Sequence, residues 1–167
     1  MNRDVTRHED FMRTAIAEAE KALREGNFPY GAVLVKNDKV VAKAHNRVLT
    51  DKDPTAHSEI NVIRKLAKKR SDVNLQGHIL YTTFEPCPMC AGACIWSGVS
   101  KIAYGLSLKD VEKLGENHIK IRCEDIANAA FKKIEIISGI LKDECLELYI
   151  RAQKENRISE ASLLEEK

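Results

Sequence analysis

Two short motifs constrain this chain more than anything else in it. His57-Ser58-Glu59 comes first, and Pro86-Cys87-Pro88-Met89-Cys90 follows well after it. His57, Cys87 and Cys90 are zinc-type ligands, three in number and so one short of the four that close a structural zinc site. A site left open keeps a position for water, which zinc can turn into a hydroxide nucleophile near neutral pH. Glu59 beside that position is the natural proton carrier. A fold that uses the motifs this way must bring two distant stretches of chain to one point.

The surrounding pattern is that of an α/β domain. Thr6 and Glu9 fit a capping box that opens a helix to about Glu25, with Phe11, Ala15, Ile16, Ala19, Ala22 and Leu23 at helical spacing. Gly26-Asn27 ends it. Residues 31–35 and 40–42 are strand-like and join across Asn37-Asp38 as an antiparallel hairpin. Asp53 as N-cap and Pro54 in the first helical position predict the next helix, with Ile60, Ile63, Leu66 and Ala67 on one face. Residues 79–83 form a third strand, 87–97 a helix stopped by Gly98, and 102–104 a fourth strand. Residues 107–131 hold one or two short helices, 134–137 a fifth strand, and a last helix runs from about Lys142 past Tyr149. Helix between strands four and five favours a parallel crossover. The expected fold is a five-stranded mixed sheet with strands 1 and 2 antiparallel, strands 4 and 5 parallel, and helices on both faces. It occupies residues 1–151 as one domain, with 152–167 as a charged tail.

Both motifs fall at helix starts. Cys87 and Cys90 are three apart, so their thiols project to one side, and a helix N-terminus favours thiolates. His57 lies in the first turn of its own predicted helix. Two helix N-termini then aim at one point, where ligands collect in α/β sheets. One conflict remains, because a regular helix turns residues two apart by about 200°. His57 and Glu59 share a site only if that first turn is distorted or the metal is approached from the helix end. The motifs also leave open a redox dithiol or a non-catalytic zinc module. Cys94 is the nearest fourth ligand, but it sits among Ala91, Ala93 and Ile95 and reads as a small core residue, as do Cys123 and Cys145.

Composition narrows the class further. The chain has 167 residues, 44% of them hydrophobic and 31% charged, which suits one domain with a real core. A net charge of +2 does not by itself announce a nucleic-acid binder. No apolar run is long enough to span a membrane, so no membrane partner is expected. The N-terminus lacks a secretory apolar region, and five cysteines, an odd count, argue against a disulfide framework. The expected location is cytoplasmic.

The motif pair resembles the zinc nucleobase deaminases, whose mark is H-x-E…P-C-x-x-C. The resemblance extends to Asp53-Pro54-Thr55-Ala56, to Glu85, Ala91 and Gly92, and to residues 29–35, which are similar to bacterial tRNA adenosine deaminases and bacterial guanine deaminases. It covers residues 8–105 well and 139–150 fairly. The resemblance implies a three-layer cytidine deaminase-like fold, one Zn2+ per chain and a homodimer or larger assembly. It implies hydrolytic deamination by zinc hydroxide with Glu59 as proton shuttle and His57, Cys87 and Cys90 as ligands. It also implies that Asn46 contacts substrate, although an ordinary turn asparagine reads the same way. Phe28, Tyr30 and Trp96 can stack on a base or serve as core. Trp96 stands where guanine deaminases also carry Trp. The stretch after strand four, Ser107 to Asn117, is acidic and matches neither the tRNA-type nor the guanine-type loop. The expected substrate is a small nucleobase or nucleoside of guanine or cytosine type, with tRNA as the alternative partner. The segment 106–122 is expected to help choose it.

Overall fold

The computed structural model describes residues 3–114 and 118–155. Its elements are α1 (Arg3–Arg24), β1 (Gly31–Lys36), β2 (Lys39–His45), α2 (Val48–Asp51), α3 (Ser58–Arg70), β3 (Ile79–Phe84) and α4 (Pro88–Trp96). Then come β4 (Lys101–Leu106), α5 (Leu108–Val111), a 3-10 turn at Glu112–Leu114, α6 (Cys123–Asn128), β5 (Glu135–Ser138) and α7 (Lys142–Lys154). Five strands form one sheet in the order β2-β1-β3-β4-β5. β1 is antiparallel to both β2 and β3, while β3, β4 and β5 run parallel. Asn37 and Asp38 take positive φ at the hairpin, the conformation a two-residue turn needs to follow the strand twist.

The period-2 alternation of the strands sorts their side chains into two cores. Val33, Val35, Tyr81 and Ala103 pack with Phe11, Met12, Ala15 and Ala19 of α1 and Leu148 and Tyr149 of α7. Ala32, Leu34, Leu80, Ile102 and Tyr104 pack with Val62 and Leu66 of α3, Ala91 and Cys94 of α4, and Cys123 of α6. The result is three layers, the cytidine deaminase-like arrangement, with α1 and α7 on one face and α3, α4 and α6 on the other. Gly31 is required where α1 crosses β1, since a Cβ there would collide with the backbone of Ala15 and Ala19. Cys94, Cys123 and Cys145 are buried in the two cores as small apolar residues.

Three boundaries differ from the expectation. α1 begins at Arg3, ahead of the Thr6 capping box. A short helix, α2, follows the end of β2. α3 begins at Ser58 rather than at Pro54, because the Asp53 carboxylate accepts hydrogen bonds from the backbone N–H (2.8 Å) and hydroxyl (2.7 Å) of Thr55. That Asx turn satisfies locally the donors that a helix N-cap at Asp53 would have served. α7 runs to Lys154, with Ala152 fully buried, and the tail expected over 152–167 lies, from residue 156 on, outside the described residues. Among the described residues no helix is long and apolar enough to cross a membrane.

Candidate active site

β3 delivers the chain to the Cys87 turn, and α4 then carries it back to β4, so the turn sits off the carboxyl ends of two parallel strands. Cys87 is the extended residue before α4 (φ −63°, ψ 167°), and Pro88 is its first helical residue. His57 plays the same part before α3 (φ −66°, ψ 154°). Because His57 lies outside the helix, the 200° turn between alternate helical residues does not apply to it. His57 projects from the helix entry and Glu59 from the first turn.

The donor atoms of His57, Cys87 and Cys90 all lie within 4.8 Å of one another, the one such group among the described residues. His57 Nδ1 is 3.8 Å from Cys87 Sγ and 3.5 Å from Cys90 Sγ. Tetrahedral zinc at ordinary Zn–S and Zn–N bond lengths sets a sulfur and a nitrogen about 3.6 Å apart. The three side chains therefore fit a zinc ion as they stand. In the metal-free protein the Cys90 thiol hydrogen bond, aided by His57, holds Cys87 as a thiolate down to about 4. The same bond, together with burial, pushes Cys90 well above the usual thiol range. One thiolate is thus ready for a metal, and the second proton leaves when the metal arrives.

Glu59 is buried beside these ligands. The Ser58 hydroxyl donates to its Oε2 at 2.9 Å and the Thr82 hydroxyl to its Oε1 at 3.2 Å. Burial pushes the carboxyl above its ordinary range; His57 and the Ser58 hydroxyl pull against that rise, while Cys87 adds to it. A carboxyl tuned upward and fixed by two hydroxyls is suited to accept and return a proton near neutral pH.

Asn46 follows the end of β2 and is fully buried. Its Oδ1 accepts from the Val48 N–H at 3.1 Å, which starts α2, while its Nδ2 has no hydrogen-bond partner. The flanking backbone runs alongside the His57 turn: Arg47 N–H donates to Ala56 O at 3.0 Å, and the Asn61 amide donates to both His45 O and Ala56 O at 3.0 Å. Phe28 is buried against Val48 and Ala56, so it backs this wall. Tyr30 is half-buried with its ring centroid 5.6 Å from that of Phe84. Trp96 stands apart at the end of α4, 81% exposed and 5.3 Å from Phe131, which is 71% exposed.

Several residues around the site were not singled out in advance. Ser58 and Thr82 orient Glu59. Thr82 alternates with Leu80 on the α3 face of β3, so strand periodicity locates it, but no sequence pattern pairs it with Glu59. Phe84 gathers Tyr30, His118 and Tyr149 around it at 5.2 to 5.6 Å between ring centroids. His45 is gripped at both ring nitrogens, by Glu18 at 3.0 Å and Glu25 at 2.9 Å, which ties the end of β2 to α1.

A three-layer α/β domain with an open three-donor centre and a buried carboxylate beside it has the parts of a zinc site that keeps a position for water. Residues 5–106 match the cytidine and deoxycytidylate deaminase zinc-binding region, and the chain belongs to that family. It is 38% identical to the tRNA-specific adenosine deaminase of Bacillus subtilis over 84% of this chain and 85% of that protein. It is 39% identical to the guanine deaminase of the same organism over 65% of this chain and 70% of that one. A solved structure in complex with 2,6-diaminopurine superposes with a TM-score of 0.81 at 26% identity, covering 91% of this chain and 84% of the other. The two Bacillus relatives are deaminases, and the protein is an enzyme of the deaminase family whose domain is a zinc-binding region.

Proposed function

We propose that the protein deaminates a small nucleobase or nucleoside of guanine or cytosine type, releasing ammonia. Asn46 carries this reading. A fully buried amide donor without a partner is costly to leave unmade, so the site is built for a ligand acceptor at that point. The acceptor atoms on the edge of a heterocyclic base are of that kind. Phe28 and Tyr30 supply the apolar wall beside it.

His57, Cys87 and Cys90 are the zinc ligands in this reading. Bound there, zinc activates a water by lowering its pKa. Glu59 would take one proton from a water held at this site and place it on a ring nitrogen, while the water oxygen bonds to the amino-bearing carbon. It would then move the second proton of that oxygen to the amine, so that the C–N bond breaks, the carbonyl forms and ammonia leaves. Ser58 and Thr82 hold the carboxylate in one orientation through these transfers. Trp96 does not stack on the base in this reading. It stands exposed at the end of α4 against Phe131.

A second reading, deamination of a tRNA adenosine, is favoured by the identity to the Bacillus tRNA enzyme over most of the chain. Ammonia release from guanine, cytosine, their nucleosides and an anticodon stem-loop separates the two. Turnover of a free base or nucleoside is expected, and turnover of the stem-loop alone overturns the proposal. In the same assay Asn46→Ala is expected to raise KM by about tenfold or more, the cost of one differential hydrogen bond in a desolvated site. An unchanged KM removes Asn46 from the substrate contact.

A further inference from the structure

Glu85 lies two residues before Cys87, inside the domain, with its side chain fully buried. Its Oε2 accepts from the Leu108 N–H at 2.9 Å, the first residue of α5. Its Oε1 accepts from the Cys123 N–H at 2.9 Å, the first residue of α6, and from Arg122 Nε at 2.7 Å. Its own N–H donates to Leu106 O at 2.7 Å. One carboxylate therefore holds both ends of the stretch 108–123 and joins them to the turn that presents Cys87. Arg122 supplies the countercharge without which a carboxylate this buried is strongly disfavoured. This one is shared between two helix starts that are far apart in sequence and meet beside the metal turn.

We infer that Glu85 is a positioning residue that fixes the starts of α5 and α6 beside the Cys87 turn, and with them His118, whose ring packs on Phe84 next to Tyr30, and so tunes substrate binding. The inference rests on the deaminase reading. It places the choice of substrate partly in a residue that touches neither metal nor base, because the geometry of the segment follows the Glu85 carboxylate.

The test is Glu85→Gln in the zinc-loaded enzyme. Glutamine keeps the shape but turns one acceptor into a donor facing an N–H, and leaves Arg122 only the more exposed Glu124 as an anion. Guanine is the first probe, replaced by whichever base or nucleoside of the panel the wild type turns over fastest. KM is expected to rise about tenfold, as for a lost charge-assisted hydrogen bond, with kcat changed less than about threefold and zinc still one per chain. Amide hydrogen exchange at Leu108 and Cys123 is expected to accelerate about tenfold or more in the same variant. Unchanged KM and exchange overturn the inference, as does loss of zinc with a parallel fall in kcat, which makes Glu85 a support of the metal turn alone. If Glu85→Gln does not fold, Arg122→Gln carries the test, and an unchanged KM at full zinc overturns the inference. Failure of the deaminase reading shows separately, as a wild type inert on every base and nucleoside, while the exchange measurement still reports whether Glu85 holds the segment.

Discussion

Glu59→Gln is expected to abolish turnover while leaving the metal in place. The substitution keeps the shape of the side chain, and its amide oxygen still accepts from Ser58 or Thr82. None of the three donors facing the metal is touched. What is lost is the ability to take a proton and give it back, and general acid–base groups of this kind are worth about 10²- to 10⁴-fold in rate. Because Glu59 acts at more than one proton transfer, kcat should fall toward the upper end of that range. Ammonia release measured alongside zinc content decides it: a variant with one zinc per chain and full turnover removes Glu59 from the chemistry.

Stripping the metal is the second large effect. With zinc at a thousandfold excess over its dissociation constant, a ligand that binds only the folded state stabilises it by about 4 kcal/mol. For a domain of this size that amounts to a drop in Tm of roughly 10 °C on treatment with a strong chelator. Activity is expected to vanish with the metal and to return with stoichiometric zinc. The freed site carries a signature of its own. Cys87, held as a thiolate down to about 4 by the Cys90 thiol, should alkylate readily at pH 6 in the stripped protein, while zinc protects it. Cys94, Cys123 and Cys145 stay buried and slow in both forms. A chelated protein with unchanged Tm and full activity rules out a metal-dependent site.

Much of this was legible in the chain. The near-continuous apolar runs at 31–35, 79–83 and 102–104 placed three central strands, because each buries both faces under helices. The turn at Asn37-Asp38 followed from residues that tolerate positive φ. Asp53-Pro54 misled, because an N-cap signal and an Asx turn use the same side chain for the same local hydrogen bonds. That difference of four residues in the start of α3 is what lets His57 and Glu59 serve one site. Trp96 lies at the end of α4, where helical phase turns it outward against Phe131.

The sequence by itself determined the donors and the reaction class. Ligand chemistry is local: two thiols three apart at a helix start and an imidazole two residues before a carboxylate name the donors, and their resemblance to the deaminase motifs names the reaction class. Only the tertiary structure decided which other residues serve that chemistry. Thr82 reaches Glu59 from another element, Asn46 keeps an amide donor buried and unsatisfied, and Glu85 gathers two helix starts distant in sequence. Such partners are set by how strands and helices stack in space, and a hydrogen bond across that stacking leaves no spacing in the chain to read.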